Sequence, residues 1–412
     1  MKKTQYSLLA LSIALASQVH AAGFQVVEHS ASGLGRAFSG DGAIGDNASE
    51  MSANAASMML FDRAQFSGAV SYIDPEIDVK SNTYGDEAND IAPSQVVPAF
   101  YYVQPVNDKW AWGIGMFTDY GVSTDYPSDF SGGDMAGHTS LTTFKFNPNV
   151  AYRLNEQFSI GAGVNVTYAK AKLERNVGIA GSQLGVPSST SLLKMEGDAF
   201  GYGWNVGALF ELDKNNRFSA SYRSDVKLKF KDGDFTDGTG LITGKQPGST
   251  SNADLEIELP DILELSGFHQ LNQQWAVHYS WQWTNYSKFS ELKATSNACS
   301  DGTCFTKSES YSDNQRWSIG TTYAVNEQWL VRAGFAYDEQ AGKATLSIPD
   351  TDRYWYTAGL TYLWTQDLSL DAGFAYIDGK SGNFTETGLA GKQEFHSSGP
   401  AYIGAIQLNY AF

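Results

Sequence analysis

From about residue 64 onward the chain alternates apolar positions with small or polar ones at a period of two, which puts one set on each face of a β-strand. Residues 328–337 place Trp329, Val331, Ala333, Phe335 and Tyr337 on one face and Leu330, Arg332, Gly334 and Ala336 on the other. The same parity recurs in Trp275, Val277, Tyr279, Trp281 and Trp283, and in Phe158, Ile160, Ala162, Val164, Val166 and Tyr168. It returns in Leu368, Leu370, Ala372, Phe374 and Tyr376. In a soluble sandwich such a face would meet a core. A stripe that runs from aromatic through aliphatic to aromatic instead fits a lipid-facing band with a girdle at each interface.

The connections predict the topology. Short polar turns fall at Asn107-Asp108-Lys109, Asn155-Glu156-Gln157, Asp213 to Arg217, Asn272-Gln273-Gln274, Asn326-Glu327-Gln328 and Thr365-Gln366-Asp367. Longer Gly/Ser/Asp-rich links lie between them, at roughly 81–92, 119–138, 176–193, 232–249, 296–303, 339–351 and 379–397. Seven long and six short connections in alternation require 14 strands. No segment after the N-terminus offers the ~18 consecutive apolar residues of a spanning helix. In lipid only a closed barrel then satisfies every backbone group. The fold class expected is therefore all-β, a 14-stranded antiparallel transmembrane β-barrel over residues 64–412; the alternative is a soluble adhesin-like sandwich. The last strand, with Tyr402, Gly404, Ile406, Leu408, Tyr410 and Phe412 on one face, ends on an aromatic, as a segment read by barrel-assembly machinery would.

A 14-strand barrel has a lumen wider than its wall side chains fill. Residues 22–63 lack sustained alternation and carry Phe24, Phe38, Met51, Met58 and Met59, so they are expected to form an N-terminal hatch, a plug inside that lumen. A short helix is predicted from Ala48 to Leu60 with Asn47 as its N-cap. Residues 1–21 read as a signal peptide: Lys2 and Lys3, an apolar run from Leu8 to Ala16, and small residues at Val19-His20-Ala21, with cleavage before Ala22.

Composition narrows the function. A net charge of −17 repels phosphate and disfavours nucleic acid. Cys299 and Cys304 enclose four residues in a long-link position of an exported chain, so a small disulfide is expected, and no histidine is near enough to suggest a metal. The link 176–193 carries Ile179, Leu184, Val186, Leu192 and Leu193, which either pack on a neighbouring loop or belong to an external groove for a lipid. His29, His138, His269, His278 and His396 sit in no nucleophile motif, so no catalytic residue, cofactor or metal is expected. A general diffusion porin should show a charged constriction and no plug.

The run Ala22-Gly23-Phe24-Gln25, then Ser32 to Gly40, then Gly42-Ala43-Ile44 resembles the mature start of FadL-type long-chain fatty-acid transporters. So do Tyr72-Ile73-Asp74-Pro75, Tyr168 to Arg175, Glu211 to Arg217, Leu292 to Ser296 and Ser347-Ile348-Pro349-Asp350. The resemblance implies lipid capture outside, an apolar pocket within, ligand-gated passage past the hatch and sideways release through the wall. Relatives that carry aromatic hydrocarbons give the alternative substrate. Parity in the strand from Phe158 turns Ser159, Gly161, Asn165, Thr167, Leu173 and Arg175 inward and Glu174 outward. The family's carboxylate-binding arginine, in its Ala-Lys-x-Glu-Arg run, falls on Arg175; an ion pair with a lumen acid is the plainer role for that residue. Two positions depart from the family. Its Asn-Pro-Ala hatch motif reads Asn54-Ala55-Ala56, and its second head-group cation falls on Ser312, for which Arg316 or Lys307 would substitute. Phe24 and the Asn54-Ala55-Ala56 turn are thus the pocket and hatch candidates. The partners expected are long-chain fatty acids, outer-membrane lipid and lipopolysaccharide, and the barrel-assembly machinery through Phe412, with the chain a monomer.

Overall fold

A computed structural model describes residues 23–309 and 311–412. The expected signal peptide and its cleavage before Ala22 lie outside the described residues. Fourteen antiparallel strands form the wall: β1 (Gln65–Pro75), β2 (Gln95–Asn107), β3 (Trp110–Phe117, resumed as Gly121–Asp125), β4 (Gly137–Arg153), β5 (Phe158–Asn176), β6 (Ser191–Asp213) and β7 (Asn216–Arg223, resumed as Val226–Asp237). They continue as β8 (Ser249–Leu259 and Ile262–Gln270), β9 (Trp275–Thr284 and Glu291–Thr295), β10 (Thr303–Ser308 and Asn314–Ala324), β11 (Trp329–Asp338), β12 (Arg353–Leu363), β13 (Leu368–Gly379) and β14 (Ala401–Ala411). β14 pairs with β1 in unbroken register from Gln65↔Ala411 to Pro75↔Ala401, which closes the barrel.

The alternation along each strand becomes the two faces of this wall. Phe158, Ile160 and Val164 are exposed on the outside, while Ser159, Gly161, Asn165, Thr167 and Arg175 are buried on the inside. At the short-turn end, cross-strand aromatic pairs line the rim: Trp110–Tyr152, Phe158–Phe210, Trp275–Tyr323 and Trp329–Tyr362, with ring centroids 4.5–4.6 Å apart. A second girdle runs through Trp204–Tyr222, Trp317–Tyr337 and Tyr376–Tyr402. Four of the short turns share one device. Asn107, Asn155, Asn272 and Asn326 each accept, through the side-chain oxygen, the N–H groups two and three residues on, the last belonging to the girdle aromatic. Asparagine mimics a backbone turn this way, so these motifs set strand register as well as rim position.

Residues 24–60 fill the lumen as a plug. The single helix predicted over 48–60 is instead two 3₁₀ segments, Ala48–Ser52 and Ala55–Leu60. Asn47 caps the first, as expected, and Asn54 starts the second by accepting the N–H of Ala56. Asn54 also donates to the Ala208 carbonyl and to Ser219 Oγ on the wall, so its wall contacts hold the chain extended where a continuous helix would have run. The wall is notched with glycine where plug backbone lies against it. A Cβ at Gly334 would overlap the Arg36 backbone, and one at Gly207 would overlap the Asn54 side chain. Gly35 and Gly359 meet so closely that a Cβ on Gly35 would fall 2.6 Å from the opposing Cα.

The plug holds itself together around Arg36, whose guanidinium is fully buried. It binds Asp41 at 2.6 Å, Glu50 at 2.5 Å and Asp46 at 3.2 Å. Asp46 also meets Arg332 of β11 at 3.2 Å. At the closure seam Gln407 of β14 accepts the Ala31 N–H and donates to Asn47, while Ser67 of β1 accepts the Ala48 N–H.

The wall is interrupted at Thr118–Tyr120. The inner half of β3 pairs with β2 from Asn107 back to Phe100, but its outer half, Gly121–Asp125, pairs with β4 alone. The plug's N-terminal stretch lies across this gap: Gln25 bridges Tyr120, Val26 N–H donates to Asp119 O at 2.6 Å, and Gly121 N–H to Phe24 O at 2.8 Å.

Outside the wall, Asp78–Ser81, Glu87–Ala88, Gly382–Gly388 and Gly391–Ser398 form a four-stranded sheet. It packs Val79, Phe384 and Phe395 against Tyr126, Phe130 and Leu346 of neighbouring links, a small second core over the barrel mouth. Cys299, in the link after the outer segment of β9, is bonded to Cys304 in the outer segment of β10, with Cα atoms 5.3 Å apart. The closed loop is short, so its loss should cost about 2 kcal/mol locally. Replacing both cysteines with serine should speed protease cleavage within 296–303 while leaving the barrel's heat-modifiable gel migration unchanged.

Candidate functional site

Where the outer halves of β3 to β10 come together, they line an apolar cavity with the plug's Phe24 at one end. Val122, Leu141, Leu173, Met195, Leu255 and Phe289 are among its apolar lining, and Ser347, Thr139, Ser140, Lys172 and Glu196 make its polar rim. Phe24 packs against Tyr120, Tyr286, Phe289 and Tyr311, with centroids 5.0–6.5 Å away, so plug and wall share one aromatic cluster. The cavity measures only about 60 Å³, well below the ~300–1,000 Å³ of an ordinary small-molecule site. A long acyl chain would fit only if side chains moved, and Phe24 is the one carried on the plug rather than the wall.

Arg175 lies behind the polar rim. Its guanidinium donates to Ser347 Oγ at 2.9 Å, Thr139 Oγ1 at 3.1 Å and the carbonyls of Glu174 and His138. Among the described residues no carboxylate pairs with it, and its Nε is buried without an acceptor. The plainer expectation, an ion pair with a lumen acid, is therefore not what the structure holds. Glu174 faces away, toward Lys172 and Lys194.

Lys307 reaches the same serine from β10, its Nζ 2.6 Å from Ser347 Oγ. It also sits 3.0 Å from Glu386 and 3.8 Å from Glu309. Ser312, where the resemblance placed the second cation, is exposed and lies outside this cluster. Arg316 does not join it either: it donates to the Ala37 carbonyl at 3.0 Å and stacks 5.1 Å from Trp355, so it braces the plug. Ala55 and Ala56 press on Gly161 and, with Asn54, belong to the plug seat rather than the cavity. The five apolar residues of link 176–193 do not form one surface. Leu192 and Leu193 are buried, Leu193 within the cavity's own core cluster; Leu184 and Val186 are exposed and Ile179 is half-buried.

Sequence reasoning assigned no role to Ser347, Glu309 or Glu386. Ser347 stood in a matched run, but only folding brings residues 175, 307 and 347 together. His278 is not poised for chemistry; it bonds Ser39 of the plug at 2.8 Å and Thr322 at 3.1 Å.

The fold and cavity define a class: a plugged outer-membrane β-barrel with an apolar interior site. The sequence profile of the outer membrane protein transport family (OMPP1/FadL/TodX) matches residues 12–412, and the chain belongs to that family. It is 41% identical over 448 residues to the long-chain fatty acid transport protein of Escherichia coli O6:H1, covering all of both chains. It is 37% identical over 467 residues to outer membrane protein P1 of Haemophilus influenzae, again over both full lengths. Among solved structures, a Pseudomonas aeruginosa FadL homologue superposes with a TM-score of 0.85 at 23% identity over 95% of this chain and 100% of that one. The Pseudomonas putida toluene transporter TodX superposes with a TM-score of 0.68 at 20% identity over 89% and 94%. These place the chain among outer-membrane transport proteins for hydrophobic compounds.

Proposed function

We propose that the chain takes up long-chain fatty acids across the outer membrane, with the acyl chain in the cavity beside Phe24 and the carboxylate on Arg175 and Lys307 at Ser347. The observation that carries this reading is a desolvated Arg175 with no acid partner at the rim of an apolar cavity. Burying each methylene is worth roughly 0.8 kcal/mol, so a chain of ~16 carbons supplies ample affinity, and the cation matches the one group that water would otherwise keep. A neutral aromatic hydrocarbon, the kind of cargo that TodX's name states, would gain nothing from either cation.

Passage in this scheme begins when ligand displaces Phe24. Movement of the N-terminal stretch then uncovers the gap at Thr118–Tyr120, through which the ligand leaves sideways into the membrane. The girdles contact outer-membrane lipid and lipopolysaccharide. The terminal strand, with Phe412 exposed on the outer face, is the segment offered to assembly machinery. The chain works as a monomer.

Arg175→Ala tests the head-group site. A charge-assisted hydrogen bond is worth about 1.5–3 kcal/mol, so affinity for a long-chain acid should fall roughly ten- to a hundredfold. The methyl ester of equal length should lose far less. Both are measured on the purified barrel at one detergent concentration. Equal losses for acid and ester would mean that Arg175 only braces the lumen.

A further inference from the structure

The external sheet carries a carboxylate into the head-group site. Glu386 lies on the hairpin Gly382–Gly388/Gly391–Ser398, yet its side chain points down to Lys307, with Oε1 3.0 Å from Nζ. Its Oε2 accepts the Leu346 N–H at 2.9 Å, next to the Ser347 that both cations share. The hairpin's turn is held separately, where Asp134 accepts the Leu389 N–H.

Charge decides what this contact does. Lys307 already faces two acids, Glu386 at 3.0 Å and Glu309 at 3.8 Å, so its charge is matched without a ligand. A third carboxylate would add an unmatched charge in a desolvated place, which is costly. Glu309 has no way out: its side chain is fully buried and bonded by Thr345. Glu386 is part-exposed, at 13%, and rides on a hairpin of the external sheet.

We propose that Glu386 is a built-in competitor for the head-group site: its carboxylate holds the ligand's place on Lys307, and an arriving fatty-acid carboxylate displaces it and removes one of the ties between the hairpin 382–398 and the barrel mouth. Binding of an acid is thus an exchange of one carboxylate for another, which keeps the cluster balanced. A neutral ligand gains nothing from the exchange and leaves the hairpin closed. Selectivity for acids and loosening of the barrel mouth then arise from one event. The proposal rests on the head-group reading of Arg175 and Lys307.

The test uses the full-length barrel in detergent, with palmitate and methyl palmitate as probes. Glu386→Gln keeps an acceptor for the Leu346 N–H but removes the charge. Palmitate affinity should rise about five- to tenfold, while that for methyl palmitate stays within twofold. Adding Lys307→Met should cancel the gain. In the unmodified protein, hydrogen exchange over 382–398 should speed up on saturation with palmitate and stay level with methyl palmitate. If Arg175→Ala and Lys307→Met leave palmitate binding intact, the head-group reading itself is overturned. If those variants weaken palmitate while Glu386→Gln fails to strengthen it, or the hairpin's exchange does not respond, the head-group site stands and the competitor does not.

Discussion

Arg36→Met should unseat the plug without unfolding the wall. The methionine keeps most of the side chain's volume, yet it leaves Asp41, Asp46 and Glu50 around an apolar thioether, with only Arg332 still touching Asp46. Removing one partner from a buried ionic cluster costs about 3–5 kcal/mol, and here three acids lose the same partner. The penalty falls on the plug, because the strand ladders need no group from residue 36. In planar bilayers the variant should show open-channel conductance several-fold above the parent's, and protease added on the periplasmic side should cut within residues 30–60. Heat-modifiable migration should persist. Conductance equal to the parent's, with the plug still protected, would show that the glycine notches and seam contacts hold the plug unaided. Arg36→Lys should fall between, since an ammonium cannot serve three carboxylates through a planar fork.

Cross-linking residue 25 to residue 120 should stop uptake and spare binding. Gln25 and Tyr120 pair as antiparallel neighbours, a geometry with Cα atoms about 4.5–5.5 Å apart, inside the range that a disulfide spans. The protein's own cysteines are already joined to each other, so a Gln25→Cys, Tyr120→Cys pair has no competing thiol among the described residues. Oxidation ties the plug's first stretch across the wall gap. Cellular oleate uptake should then drop at least tenfold and recover on reduction, while the purified oxidised barrel retains at least part of its ligand affinity. Full uptake by the oxidised form would rule out a route past this stretch.

The barrel was legible because its signal is repeated. Each strand's alternation is weak alone, but lipid on one side and plug on the other impose it on every strand, and the asparagine turns mark the register at the near rim. The external sheet was hidden because its strands come from residues 78–88 and 382–398, two distant links that meet only after β14 closes on β1. The helix expected over 48–60 failed at Asn54, where contacts to Ala208 and Ser219 from the wall outweigh local propensity. At the site, strand parity turned Arg175 inward correctly. The resemblance put the second cation at Ser312, with Lys307 or Arg316 as substitutes; Lys307 reaches Ser347 from the outer segment of β10, before the break between Ser308 and Asn314, while Ser312 lies exposed within that break. Glu386 carried no sequence mark at all, since its role comes from a hairpin folded over another link.

The closure seam sets an order of events. The plug's anchor points at Ala31 and Asn47 are completed by Gln407, which leaves the ribosome nearly last. Until β14 arrives, Ser67 lacks Asn409 and the plug lacks its terminal partner. Pairing residues almost 380 positions apart is slow, because the loop entropy is lost before the contact forms. The first-made part of the chain therefore waits on the last-made part: the plug's grip at the seam is incomplete until the C-terminal strand stands beside it.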